Sequence, residues 1–205
     1  MSRPASGTPT RRQAQAADTR RLVLDAALRL FAERGYAATS VSDIAREAGV
    51  ALPTVYANVG AKPQLLRLLA DRVDQRAGIP ELHDATMAAS GAGEVLSLAV
   101  RLTRQLAERC GDVIAAMNSA AGADPELAAL VEEGGRRHRT GALGIARRLH
   151  DLGGLRADVS IERAGTIVDA LTQPEMFQLL VDRHGWSYDE AEEWLVGVLG
   201  DQLLA

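Results

Sequence analysis

The sequence predicts an all-α protein, and three observations support this fold class. Only seven of the 205 residues are aromatic, whereas Ala, Leu, Arg and Glu, which favour helices over strands, are abundant. Apolar residues recur at spacings of three and four along most of the chain, as on one face of a helix. No segment shows the alternation typical of a strand, and no repeat of about 20–50 residues is present.

The chain is predicted to hold a tail, a small domain and a larger one. Residues 1–17 are rich in Pro, Ser, Thr, Gln and Arg, have almost nothing to bury, and are expected to be a disordered tail. From Asp18 or Thr19, apolar pairs every four residues predict a first helix that Gly35 ends. We expect a small helical domain over 18–78 and a larger helical domain over 79–205.

The segment from about 41 to 60 is predicted to be a helix-turn-helix. Ser40 and Asp43 fit a capping box, in which the hydroxyl accepts from a free backbone N–H and the carboxylate accepts from the capping residue. Gly49 is expected to supply the positive φ of the tight turn. These signals fix where the second helix begins and ends.

Two prolines predict where the next two helices start. Proline at the first helical position loses no backbone hydrogen bond, so Pro53 and Pro63 are expected there. Leu52 and Lys62 are then the predicted caps of the third and fourth helices. Lys62 is also the single lysine of the chain.

The larger domain is predicted to consist of further helices separated by Gly and Pro breaks. A weak helix or a loop is expected between the breaks near 78–80 and 88–93. The apolar stripe of the next helix covers 94–118. A later proline, Pro174, either kinks a helix or starts a new one. The remaining predicted helices span 124–149, with a weak point at Gly134-Gly135, then 160–171 and 188–203.

Charge is distributed unevenly between the two predicted domains. Residues 1–78 hold 12 Lys/Arg against 7 Asp/Glu, whereas residues 79–205 hold 11 against 20. A basic N-terminal part on an acidic body indicates a local surface for a polyanion, although a chance fluctuation gives the same pattern.

The stretch GYAATSVSDIAREAGVALPTVYANVGAKPQLL, residues 35–66, resembles the N-terminal domain of TetR-type transcriptional regulators. The resemblance is specific over about residues 18–78, and LTQPEMFQLLVDRHGWSYDEAEEWL is similar to the end of one branch of this family. Two departures are Ala51, where the family usually has Ser, and Asn58-Val59 in place of a His/Tyr-Phe pair. The residues that fall on the family pattern are Gly35, Tyr36, Thr39, Ile44, Ala45, Ala48, Gly49, Val50, Val55, Tyr56, Lys62 and Leu65.

The resemblance implies a DNA-binding surface made by the helix-turn-helix and its neighbours. It places phosphate contacts at Thr39, Tyr56 and Lys62, with Arg46 as either a further phosphate contact or a solvated surface residue. Tyr56 alternatively packs under the turn. Asn58 can read adenine, while Leu and Pro offer apolar contact, for example to thymine methyls. The full predicted DNA-binding set is Thr39, Ser40, Arg46, Ala51, Leu52, Pro53, Thr54, Tyr56, Asn58 and Lys62.

For residues 79–205 the resemblance implies effector binding and dimerisation. The chain is expected to repress transcription by binding a palindromic double-stranded DNA operator as a homodimer, and to be released by a small-molecule effector. The expected dimer helices are about 160–184 and 188–203, with interface residues Ile167, Leu171, Leu179, Trp194, Leu195 and Val198. The expected effector pocket is lined by Leu102, Leu106, Cys110, Met117, His138 and Phe177.

Other functional classes find little support in the sequence. The four histidines are scattered, and the motifs of hydrolases and nucleotide-binding enzymes are missing, so we expect no enzyme, no metal site and no cofactor. One cysteine and no apolar leader predict a cytoplasmic protein, and no apolar run approaches the ~20 residues of a membrane span. The alternative is a helical module for a small molecule or a protein that no longer binds DNA.

Overall fold

The computed structural model describes residues 11–205, apart from the side chain of Arg12, and its regular elements in this range are helices. The all-α prediction is confirmed. An isolated antiparallel bridge joins Leu155 to Leu204. The helices are α1 Arg11–Arg34, α2 Val41–Glu47, α3 Leu52–Val59, α4 Lys62–Ala70, α5 Val73–Ala77, α6 Ile79–Ala88, α7 Ala92–Ala121, α8 Pro125–Asp151, α9 Ile161–Leu171, α10 Pro174–Gln178, and α11 Tyr188–Leu203.

The chain forms two compact units, one ending at Ala70 and the other beginning at Asp71. In the first unit, α1 contacts each of α2, α3 and α4. One face of every helix is buried there, so a small core holds the helix-turn-helix in place. The buried apolar residues of this core are Val23, Leu24, Ala26, Ala27, Leu30, Phe31, Ile44, Ala45, Val55, Val59, Leu65, Leu66 and Leu69.

The first helix corrects the predicted tail. α1 begins at Arg11, so residues 11–17 are helical and not disordered, and the predicted start at Asp18 or Thr19 is wrong. Arg, Gln and Ala are strong helix formers even where there is nothing to bury. The rest of the predicted tail, residues 1–10, lies outside the described residues.

The boundary between the units lies eight residues before the predicted position at 78. The chain leaves helical geometry after Ala70, and α5 then packs against α7 of the second unit. Residues 71–78 therefore belong to the larger unit. The apolar pattern of the sequence continues through Val73, so it gives no indication that the helix ends at Ala70.

The second unit is organised around α7. This helix contacts α5, α6, α8, α10 and α11, while α8 and α9 pack against each other. The apolar cluster between them includes Val95, Leu96, Val100, Leu149, Val168, Phe177, Leu195, Leu199 and Leu203. A helix buried on several sides needs a wide apolar stripe, as predicted for 94–118.

Three predictions in the larger unit are settled by the helix bounds. The weak helix or loop after residue 80 is the helix α6, with proline in its first turn. α8 runs through Gly134-Gly135 without a break, since packing along its length outweighs the cost of two glycines. Pro174 starts a new helix, because Gln173 before it is extended.

The chain after Pro174 continues from α10 into a π-helical turn at Leu179–Arg183. The predicted dimer helix 160–184 is therefore two separate helices, α9 and α10 with its π-helical extension. Beyond it, Ser187 and Glu190 form a capping box that starts α11. Near this start, Trp186 and Trp194 meet edge to face with ring centroids 5.7 Å apart.

Candidate nucleic-acid interface

The turn between α2 and α3 is built from local hydrogen bonds. The Ser40 hydroxyl accepts from the Asp43 amide while the Asp43 carboxylate accepts from the Ser40 amide, which confirms the predicted capping box. The Ser40 hydrogen bonds hold the pKa of the Asp43 carboxyl below its usual value. Gly49 adopts φ +68°, so the chain reverses as predicted.

The recognition helix α3 begins one residue earlier than predicted. Its first residue is Leu52, its cap is Ala51, and Pro53 lies at the second position. No side chain caps this helix end, because alanine has no acceptor where Ser or Thr would offer one.

The outward face of α3 is apolar and exposed. Pro53 and Ala57 lie four residues apart on one face, opposite Val55 and Val59, which are buried. Tyr56 is 52% exposed, so its ring does not pack under the turn. The N-terminal end of the helix adds Ala51 and Leu52, which are also exposed.

The side chain of Asn58, the predicted base-reading residue, forms a hydrogen bond within its own helix. Its side-chain amide donates to the Thr54 carbonyl at 2.8 Å, and both residues are half-buried. Bidentate reading of adenine requires the amide nitrogen and oxygen to face the base together. Reading of adenine by Asn58 would require this hydrogen bond to break, and it stays a prediction.

The structure corrects the prediction that Thr39 binds a phosphate. It is 2% exposed, and its hydroxyl lies 2.9 Å from the Gly35 carbonyl and 3.2 Å from the Leu30 carbonyl. A buried hydroxyl that donates its proton to the end of α1 cannot bind a phosphate. Its role is to join α1 to the start of α2.

Lys62 is held against the turn between α1 and α2. Its ammonium donates to the Tyr36 carbonyl at 2.8 Å and the Thr39 carbonyl at 2.9 Å, and lies 4.2 Å from the Tyr36 ring centroid. Burial lowers the pKa of this group. Lys62 is the first residue of α4, not its cap. Two of its three N–H donors are used within the chain, which leaves one for a phosphate.

The remaining polar predictions lie on the surface of α2. Ser40 is exposed but its hydroxyl belongs to the capping box. Arg46 is paired with Asp43 one turn earlier, and its side chain is 72% exposed. An exposed ion pair is weak, so the guanidinium can exchange this partner for a phosphate.

Two supporting contacts in the first unit were not predicted. Tyr36 supplies both a carbonyl and a ring to Lys62, and Arg29 of α1 pairs with Glu47 at the end of α2 at 3.0 Å. Tyr36 belongs to the TetR-type sequence pattern, so its importance could have been predicted from that pattern. The Arg29–Glu47 ion pair could not be predicted, because the two residues are distant in sequence and belong to no motif.

The predicted effector residues lie in the second unit. Cys110 and Phe177 are fully buried, and burial raises the pKa of the Cys110 thiol. The His138 ring lies 3.3 Å from the Asp169 carbonyl and 3.4 Å from the Thr172 hydroxyl. Leu102, Leu106 and Met117 are half-buried along α7.

A groove of about 500 Å³ lies elsewhere in the second unit, at the connection between α8 and α9. None of the predicted effector residues lines it. Its lining residues are His150, Gly153, Leu155, Arg156, Ala157, Val159, Ser160, Ile161 and Glu162.

One predicted dimer residue is wrong. Leu195 is fully buried within the chain, because α11 turns that side toward the core cluster. Its neighbour Trp194 is 42% exposed and Leu179 is 41% exposed. The other predicted dimer residues, Ile167, Leu171 and Val198, are half-buried.

In the part of the chain that the structure describes, no group of three or more His, Cys, Asp or Glu side chains is placed to hold a metal ion. Over the same residues, no helix has the length and apolar character of a membrane span.

A known family model matches most of the N-terminal unit. Residues 23–69 match the family model of bacterial regulatory proteins of the tetR family, which covers α1 after its first turns and all of α2, α3 and most of α4. A comparison with curated protein sequences finds no match.

Solved structures share the fold over nearly the whole chain. The TetR family regulator PfmR from Thermus thermophilus is 22% identical with a TM-score of 0.67, covering 96% of this chain and 97% of its own. FadR from Bacillus subtilis with stearoyl-CoA is 19% identical with a TM-score of 0.69, covering 89% and 98%. A choline-bound chain from Saccharomonospora viridis, described as a candidate transcriptional regulator, is 23% identical with a TM-score of 0.74, covering 92% and 99%.

The family model matches the helix-turn-helix, the turn has the geometry that the motif requires, and the fold extends through the larger unit. Residues 23–69 therefore match the tetR family of bacterial regulatory proteins, and the chain as a whole shares the fold of the solved structures named above.

Proposed function

We propose that the protein represses transcription as a homodimer that binds a palindromic operator and is released by a small molecule. The observation that carries the DNA-binding part is the geometry of α2 and α3, joined at Gly49, with the outer side of α3 exposed. In such a motif the second helix enters the major groove. The family match supports the same assignment.

Dimerisation follows from the small size of a single recognition surface. α3 has eight residues, too few to specify a site alone. Two copies with recognition helices one turn of DNA apart, roughly 34–36 Å, read a palindrome. The exposed Trp194 and Leu179 are the apolar side chains that we assign to the contact between subunits, together with the half-buried Ile167, Leu171 and Val198.

Release by an effector is supported by what structural relatives bind. The related chains named above hold choline and stearoyl-CoA. These two ligands share little chemistry. They therefore support the proposal that this protein binds an effector, but they do not indicate which compound it is. We assign the effector site to the residues of α7, α8 and α10 around Leu106, His138 and Phe177. A ligand that prefers the conformation unsuited to DNA shifts the population toward it.

A mobility-shift titration on the DNA upstream of the protein's own gene tests this function. We expect binding by two chains per site, with affinity that falls steeply as salt rises because phosphates are neutralised. Choline and stearoyl-CoA are the first compounds to test for release. Binding by one chain per site would contradict the proposal that a homodimer reads a palindromic operator.

A second function is favoured by one observation. The exposed face of α3 carries few hydrogen-bonding side chains, which suits a helical module that no longer uses DNA. Such a protein would bind no genomic fragment even at low salt, whereas the proposed repressor would retain at least salt-sensitive, non-specific binding.

A further inference from the structure

The recognition helix has an unusual composition for a DNA reader. Its sequence, LPTVYANV, contains no charged residue. The most frequent specific contacts to bases come from Arg or Lys to guanine and from Asn or Gln to adenine. α3 offers no Arg, Lys or Gln, and its one Asn is turned back to the Thr54 carbonyl.

The side chains that do face outward are mainly apolar, and those at the centre of the face are small. Pro53 and Ala57 form the centre of the exposed face, and Leu52, 37% exposed, extends it at the helix N-terminus. Tyr56 adds an exposed hydroxyl at one edge. Small side chains at the centre allow the helix backbone to approach the groove floor closely, so short apolar contacts become possible.

The major groove presents one apolar feature that distinguishes bases, the C5-methyl group of thymine. We propose that this protein specifies its operator through thymine methyl groups packed against Leu52, Pro53 and Ala57, and not through hydrogen bonds from α3 to base edges. This inference rests on the proposed function. It assigns the chemistry that α3 reads, which the family match leaves open.

Deoxyuridine provides a direct test, because it differs from thymidine only by the missing methyl group. An operator is first selected from a randomised duplex library and then synthesised with deoxyuridine at single thymine positions. We expect affinity to fall about fourfold for each contacted methyl, the equivalent of about 0.8 kcal/mol for one buried carbon. Restoring a methyl as 5-methylcytosine at a contacted position should recover part of the binding that cytosine loses.

Two protein variants separate contact from DNA shape. In Leu52→Ala the penalty for deoxyuridine should disappear at the positions that Leu52 contacts, as in a double-mutant cycle. Tyr56→Phe, which removes only a hydroxyl, should leave every deoxyuridine penalty unchanged. Circular dichroism and retained non-specific binding confirm that each variant is folded.

Three outcomes contradict the proposals, and they are distinguishable. Equal binding to thymidine and deoxyuridine duplexes overturns methyl readout while the repressor function stands. A deoxyuridine penalty that stays the same at every position in Leu52→Ala, Pro53→Ser and Ala57→Ser would show that DNA shape is read instead, and also overturns it. No binding to any duplex at low salt overturns the proposed function itself.

Discussion

The two units of the molecule are stabilised in different ways. In the N-terminal unit, α2, α3 and α4 have seven, eight and nine residues, lengths at which an isolated helix is marginal in water. Their positions depend on individual groups: a capping box, a left-handed glycine, and the Thr39 and Lys62 hydrogen bonds. In the larger unit, α7 and α8 have 30 and 27 residues and share an extensive apolar cluster.

This difference predicts which substitutions should change the stability of each unit most. In the N-terminal unit, the small core is supplemented by single groups at the turns, so the loss of one such group should matter. In the larger unit, stability should depend mainly on the buried apolar volume. Each substitution below is paired with a control substitution that lacks the stabilising feature, and together these pairs test the difference between the units.

The largest effect is expected at the core of the second unit. Leu195→Ala leaves a cavity in the cluster around α11 and should lower the free energy of unfolding by about 2–5 kcal/mol. Trp194→Ala, at the adjacent exposed position, should instead weaken dimerisation. Denaturant unfolding at fixed protein concentration and sedimentation measure the two effects. An unchanged unfolding midpoint for Leu195→Ala would contradict the burial of this residue.

The next largest effect is expected at Lys62. Lys62→Ala leaves the Tyr36 and Thr39 carbonyls without this donor and should destabilise the N-terminal unit by about 1–3 kcal/mol. The salt slope of DNA binding should also fall by about 1 per subunit. Arg34→Ala removes the same charge from an exposed position and serves as the control. Amide hydrogen exchange in α4 reports stability, and an unaltered slope would leave Lys62 a purely structural role.

Glycine substitutions should have opposite signs in the two units. Gly49 and Gly134 both have no atom within 4 Å of an added Cβ, but only Gly49 has positive φ. Gly49→Ala should therefore cost about 1–2 kcal/mol, whereas Gly134→Ala inside α8 should stabilise by up to about 1 kcal/mol. Thermal unfolding measures both. The same sign for the two variants would mean that conformation at the turn is not the deciding factor.

The smallest effect is expected at the uncapped end of α3. Ala51→Ser supplies a side-chain acceptor for the free N–H groups and should stabilise the N-terminal unit by about 0.5–1 kcal/mol. Ala57→Ser, inside the helix, should instead destabilise it by a few tenths of a kcal/mol. Hydrogen exchange of the α3 amides distinguishes the pair. Equal protection in both variants would contradict the assignment of Ala51 as the cap.

Sequence patterns predicted the first unit well where local chemistry decides the structure. Gly49, Ser40 and Asp43 could be placed because their conformations depend on neighbours within four residues. The direction of the Asn58 side chain could not be predicted, because the Thr54 carbonyl and a DNA base compete for the same amide.

In the larger unit the bounds of α11 were predicted, but its rotation was not. Leu195 and Trp194 are adjacent and both apolar, and only the packing of α9 and α7 decides which one is enclosed. Pro174 likewise allowed either a kink or a new helix. The start of α1 could not be predicted for a different reason, because residues 11–17 combine low apolar content, which is typical of a tail, with residues that favour a helix.

The pair of tryptophans described near the start of α11 has a practical consequence. The chain contains two tryptophans, Trp186 and Trp194, and their rings are in contact. Intrinsic tryptophan fluorescence therefore reports on one corner of the larger unit, and the DNA-binding unit contributes no tryptophan emission of its own. A blue shift on concentrating the protein would record the covering of Trp194 by a second chain, and melting of the N-terminal unit alone would leave this signal nearly unchanged.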